Sequence, residues 1–222
     1  MNQFSTGDPQ DTPGIEKYAA IMKEIKSRTD VIDVFLSGRR EAIYIPTTVE
    51  TVGLQFRKIF ELIAFASLAA NRRKYSSIYA DFSKHWEAAK LLKSLQRINP
   101  DFYPKPVVET KSDRPRVVHD LSDRDHDYLT QADLVEAHGR CGRLLHAANP
   151  FGRPIDYVFF QTSFPVWRAR FMNLLNNHKV HLVGDTGFYL IHMHEEGKKG
   201  EVSWYRFELV GPSVSPTKPE LP

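Results

Sequence analysis

From Ile59 to Ala70 the chain is apolar at every position except Glu61 and Ser67. No other stretch restricts the fold so tightly. The run is too short to cross a bilayer. A helix that is apolar nearly all round is one whose neighbours cover every side. The run therefore predicts the second half of a long helix at the centre of a bundle. Pro46 suits the first turn of that helix and Thr47 or Thr48 can cap it. It should reach about Asn71, and Arg72-Arg73-Lys74 then form a cationic turn that complements the helix dipole.

Four more helices should pack around it. Residues 14–36 carry Tyr18, Ile21, Met22 and Ile25 at helical spacing and stop at Ser37-Gly38. Residues 83–98 carry Trp86, Ala89, Leu92, Leu95 and Ile98 at intervals of three, with Ser83 as N-cap and Asn99-Pro100 as stop. Residues 131–149 begin after Thr130, which stands three residues before Asp133 in a capping-box arrangement, and end at Asn149-Pro150. The last helix, 158–177, contains Pro165. Phe60, Ile63, Phe65, Trp86 and Leu92 should lie inside.

Residues 100 to 127 hold Pro104, Pro106, Pro115 and many charges. They read mostly as connector, with Val107-Val108 and Val117-Val118 as candidate short strands. After Asn177 the composition turns to β-branched and aromatic residues punctuated by Gly184, Gly187, Gly197 and Gly200. The expected fold is mainly α, a helical bundle of about five helices with a small C-terminal antiparallel β-hairpin or sheet. The expected organisation is a disordered N-terminus over 1–13, a bundle over 14–178, a β appendage packed on it over 179–211, and a disordered Pro-rich tail over 212–222.

Composition excludes little. With 222 residues, 41% hydrophobic and 26% charged, the chain can bury a core of ordinary size. A formal net charge of +3 permits a polyanionic partner without requiring one. Cys141 is the single cysteine, so no intrachain disulfide can form. No secretory signal is seen at the N-terminus, so a cytoplasmic, reducing setting without membrane association is expected.

The segment that concentrates chemistry is Gly139-Arg140-Cys141-Gly142-Arg143-Leu144-Leu145-His146-Ala147-Ala148-Asn149-Pro150. Arginine grips phosphate through a planar fork of donors, and histidine moves protons near neutral pH. On an ideal helix, residues six apart diverge by about 120°, so Arg140 and His146 do not share a face. Arg143, His146 and Asn149 do. Either the helix loosens near its end, or the site is assembled across a dimer, where Gly139 and Gly142 would admit a neighbouring helix. A purely structural role competes on equal terms: arginines in a last turn complement the dipole, and a histidine there can cap carbonyls.

An arginine, five residues, and a histidine late in a helical bundle resemble the motif of the HEPN superfamily. Leu54-Gln55-Phe56-Arg57-Lys58-Ile59-Phe60-Glu61-Leu62-Ile63-Ala64 also looks like a core helix of that group. The likeness covers roughly residues 14 to 178. It departs from a common form of the motif at Cys141, which follows the arginine where a polar residue is frequent. The resemblance implies an all-α, often dimeric protein. It also implies an RNA-acting function, that of a metal-independent endoribonuclease in a prokaryotic defence or toxin–antitoxin system. Arg140 and His146 would be the catalytic pair, with Arg143 and Asn149 supporting phosphate. No cofactor or metal is called for; the partners would be RNA, a second copy of the chain, and an antitoxin or operon partner. The alternatives are a non-catalytic helical module that binds protein or nucleic acid, and a purely structural partner encoded in the same operon.

Other signals are weaker. Asp185-Thr186-Gly187 has the form of an aspartic-protease triplet, but Phe188 follows it and a hairpin turn explains it better. His192 and His194, with Glu195 and Glu196, lack a third ligand at fixed spacing and read as a solvated strand face. The polar run His119, Asp120, Asp123, Asp125, His126 and Asp127 lacks the EF-hand order and reads as a loop leading to Thr130. There is no phosphate-binding glycine loop of the P-loop type and no dinucleotide fingerprint.

Overall fold

The computed structural model describes residues 12–70, 88–115, 117–185, 187–194 and 200–208. Ser83 and Trp86 fall outside them, as do the N-terminal residues 1–11 and the tail from 209.

Among the described residues there are five helices: α1 (Thr12–Leu36), α2 (Ile45–Ala70), α3 (Ala88–Ile98), α4 (Gln131–Leu144) and α5 (Tyr157–Leu175). Five strands accompany them: β1 (Lys105–Lys111), β2 (His119–Asp123), β3 (Asn177–Val180), β4 (Phe188–His192) and β5 (Ser203–Phe207). They form one antiparallel sheet in the order β2-β1-β3-β4-β5. The architecture is thus a mixed one of helices and a five-stranded sheet, rather than a bundle with a terminal hairpin.

The helix α2 is the centre, as its composition requires. It packs against α1, α3, α4 and α5. Phe56, Ile59, Phe60, Ile63 and Ala64 are all buried along it. Phe56 stacks on Phe164 of α5 at 5.0 Å, and Trp167 and Phe171 meet its ring edge-on. Leu92 is buried and Phe65 partly so. Where α2 meets α4 it carries Gly53: a Cβ there would lie 2.4 Å from Leu144 Cδ2. Glycine therefore permits the close approach of the two helices.

The sheet differs most from expectation. The β1–β2 hairpin arises in the proline-rich stretch read mostly as connector: β1 contains Val107-Val108, one of the two candidate strands, and β2 takes half of the polar run read as a loop. Val107 pairs with Asp123 and Lys111 with His119. The reason is position. An edge strand has one side open to water, so a polar sequence such as His-Asp-Leu-Ser-Asp is tolerated there. Val117 and Val118 stay exposed in the turn. The strand β3 starts at Asn177 and so crosses the boundary expected at residue 178, and the sheet is not confined to 179–211.

One buried polar contact ties helices to sheet. His178 of β3 and Tyr18 of α1 are both buried, and the Tyr18 hydroxyl lies 2.7 Å from His178 Nε2. His178 Nδ1 lies 2.8 Å from the Leu175 carbonyl oxygen, to which it can only donate. That fixes the tautomer: Nδ1 carries the proton and Nε2 accepts from Tyr18. Lys26 adds a second tie, donating to the carbonyls of Met193 and Glu201.

Candidate functional site

The helix α4 starts as its sequence demands. Thr130 accepts a hydrogen bond from the Asp133 amide at 3.1 Å, and Asp133 accepts from the Thr130 amide at 3.1 Å. Leu134, Ala137, Cys141 and Leu144 form the buried face. Burial pushes the Cys141 thiol up to about 12, so it stays neutral. The core position explains why an apolar-tolerant cysteine, rather than a polar residue, follows Arg140.

The helix ends at Leu144, five residues before the expected stop at Asn149. Leu145 is the C-cap, and its N–H donates to the Cys141 carbonyl at 3.2 Å. His146 therefore lies beyond the helix, and the row Arg143–His146–Asn149 expected on one helical face does not exist. His146 is exposed and its backbone N–H reaches the Arg143 carbonyl at 3.4 Å. Asn149 is a turn-former: its Oδ1 accepts from the Phe151 amide at 3.0 Å and its carbonyl from Gly152 at 2.9 Å.

The two motif arginines differ. Arg140 is held between neighbours. It pairs with Glu136 one turn back at 2.8 Å, and its guanidinium sits 4.6 Å from the centre of the Phe159 ring of α5. Arg143 is exposed, its guanidinium lying near Gly139, where a Cβ would be 3.8 Å from it. Phe151 is 96% exposed in the turn that follows, and Arg153 beside it is exposed too.

On its other flank α4 meets a charged cluster of α2 that the motif does not announce. Glu61 Oε1 lies 3.2 Å from His138 Nε2 and 3.2 Å from Arg57 Nε, and Glu61 Oε2 lies 3.7 Å from Lys58 Nζ. Gly142 makes room for this arrangement: a Cβ there would fall 2.5 Å from an Arg57 guanidinium nitrogen. The space offered by that glycine is filled by Arg57 of the same chain. Burial alone would raise the Glu61 carboxyl, but the hydrogen bond with His138 and the charges of Lys58, His138 and Arg57 outweigh it. The net effect is a lowered pKa, so Glu61 is ionised. An ionised carboxylate only accepts, so His138 donates from Nε2.

Elsewhere the discounted features behave as structural groups. Asp185 accepts from the Gly187 amide at 2.9 Å and pairs with Arg206 at 3.1 Å, which makes it a turn residue. His192 pairs with Glu109 at 2.9 Å, while His194 is exposed beyond the strand; Glu195 and Glu196 lie outside the described residues. Among the described residues, no three or more His, Cys, Asp or Glu side chains are grouped to hold a metal ion. No described helix is long and apolar enough to cross a membrane.

Comparisons with protein-family models, curated proteins and solved structures give no match. The site therefore rests on its residues alone. Arg140, Arg143, His146 and Asn149 are legible as candidates in the sequence, whereas the Glu61–His138–Arg57 cluster is not. The available signal was Glu61 itself, the one carboxylate in an apolar run, which needs a partner wherever the helix is packed.

Proposed function

We propose that this is a HEPN-like RNA-acting protein that grips the phosphate backbone with α4, the turn after it, and the adjoining face of α2. One observation carries the reading. Arg143, His146, Phe151 and Arg153 are all exposed at the end of α4 and in the turn after it, and on the other flank of α4 Arg57 lies against Gly142. Cations that track a backbone, beside an aromatic ring on which a base can stack, are the recurring parts of a single-strand binding surface. In this reading the protein is a metal-independent endoribonuclease of a defence or toxin–antitoxin system. Arg140 and His146 serve in cleavage as the family motif implies, and a second copy of the chain is the expected partner.

The test is fluorescence anisotropy of a labelled single-stranded RNA, read against salt concentration. Wild type should bind with an affinity that falls steeply as salt rises. Arg143→Ala should weaken binding and flatten the salt slope by about one unit. Cleavage, followed in parallel, should fall strongly in Arg140→Ala and His146→Ala, should stop when the 2′-hydroxyl at the cut position is removed, and should survive chelator. Salt-independent or absent binding would remove the proposal.

A second reading has its own support. Arg140 is already engaged by Glu136 and Phe159, and among the described residues His146 has only a backbone tether. Both facts favour a module that binds RNA or protein without cutting. RNA binding with no cleavage would select it.

A further inference from the structure

We infer that His138, held by Glu61, is a proton-transfer group of this surface, with Glu61 and Arg57 as its positioning residues. The inference rests on the RNA-acting reading and adds to it a residue that the motif does not contain.

Pre-organisation carries the argument. A general base must be fixed in orientation and tautomer before substrate arrives, because restraining it during reaction costs rate. His138 meets that condition. Its Nε2–H is committed to Glu61 at 3.2 Å, and Glu61 is itself held by Arg57 and Lys58 from the same helix. With Nε2 protonated, Nδ1 carries the free lone pair. The side chain keeps 12% of its surface open, so it is packed but not sealed. A carboxylate behind an imidazole also stabilises the imidazolium that forms when the base takes a proton. His192 shows the same pairing, with Glu109 on the sheet, but without arginine or lysine in its ion pair. The α2–α4 cluster combines the histidine–carboxylate pair with an arginine and a lysine on the same carboxylate, cations of the kind that hold a phosphate.

The step balances as a transesterification. His138 Nδ1 takes the proton of a 2′-hydroxyl. The freed O2′ attacks phosphorus, the O2′–P bond forms, and the P–O5′ bond breaks with its electron pair on O5′. That oxygen takes a proton from His146, the acid of the motif pair, and the two histidines regain their starting protonation by exchange with solvent. The products are a 2′,3′-cyclic phosphate and a 5′-hydroxyl, with no oxidant, reductant or further reactant.

The experiment compares wild type, His138→Ala, Glu61→Gln and His192→Ala on one labelled RNA, measuring binding by anisotropy and cleavage by gel, with thermal melting to confirm folding. His138→Ala should lose about 100-fold in cleavage rate with little change in binding. Added imidazole should restore part of that loss, which a merely structural histidine would not allow. Glu61→Gln should lower the rate and move the rising limb of its pH profile to lower pH, because the imidazolium loses its counter-charge. His192→Ala should cleave as wild type. Undiminished cleavage by His138→Ala, or a loss that imidazole does not touch, overturns the inference and leaves the RNA reading standing. Wild type that binds RNA but does not cut it also overturns the inference alone. Wild type that neither binds nor cuts overturns both.

Discussion

Acid should unfold this protein in part through one histidine. His178 is fully buried, and burial lowers its pKa from 6.5 to about 4, against a smaller raising effect of the Leu175 carbonyl. The unfolded chain takes up the proton near 6.5 and the folded one resists until about 4. Between those values the unfolded state binds more protons, so stability falls as pH falls. A difference of about 2.5 units is worth about 3 kcal/mol at 1.36 kcal/mol per unit. That stability is fully present above pH 6.5, is lost progressively below it, and is gone below pH 4. It is a large share of the ~5–15 kcal/mol that holds a domain together. The assay is urea denaturation of wild type and His178→Gln at several pH values from 7 to 4. Carboxylates with lowered pKa, such as Glu61 and Asp101, also weaken the fold in acid. The quantity that isolates His178 is therefore the difference between the two proteins. The variant should be less stable at pH 7, and the gap should shrink by about 3 kcal/mol on reaching pH 4. A gap that stays constant across that range would refute the account.

Three further outcomes follow from particular contacts. Tyr18→Phe should cost about 1–3 kcal/mol at pH 7 in the same denaturation assay, because it leaves His178 Nε2 buried without its donor. Gly142→Ala should cost little stability but displace the Arg57 guanidinium, the flexible end of a side chain, and so lower RNA affinity as Arg57→Ala does; equal affinity to wild type would show that Arg57 is not a contact. Ile43 is β-branched, sits at φ +67° and is 95% exposed, so Ile43→Asn relieves backbone strain while losing almost no packing; its melting temperature should rise by a few degrees.

The features legible in the amino-acid order are local. The apolar circumference of Ile59–Ala70 can be satisfied only by neighbours on every side, and α2 is the element that four other helices touch. The Thr130–Asp133 box lies within one turn, so its hydrogen bonds depend on no distant residue. Asp185 is a turn residue for the same reason. Whatever depends on which segments meet was settled by packing. The strand β2 is polar because it lies at a sheet edge, and a polar edge strand looks like a loop until its partner is known. The stop at Leu144 took His146 off the helix, so a spacing argument made on an ideal helix lost its premise. Glu61 and His138 stand 77 residues apart, and Tyr18 and His178 stand 160 apart. Periodicity predicts which face of a helix is buried, but not which charged or polar side chain from elsewhere will be pressed against it. The cluster proposed here as a proton-transfer site arises only when α2 and α4 pack, with Gly53 and Gly142 making room for Leu144 and Arg57 at the contact.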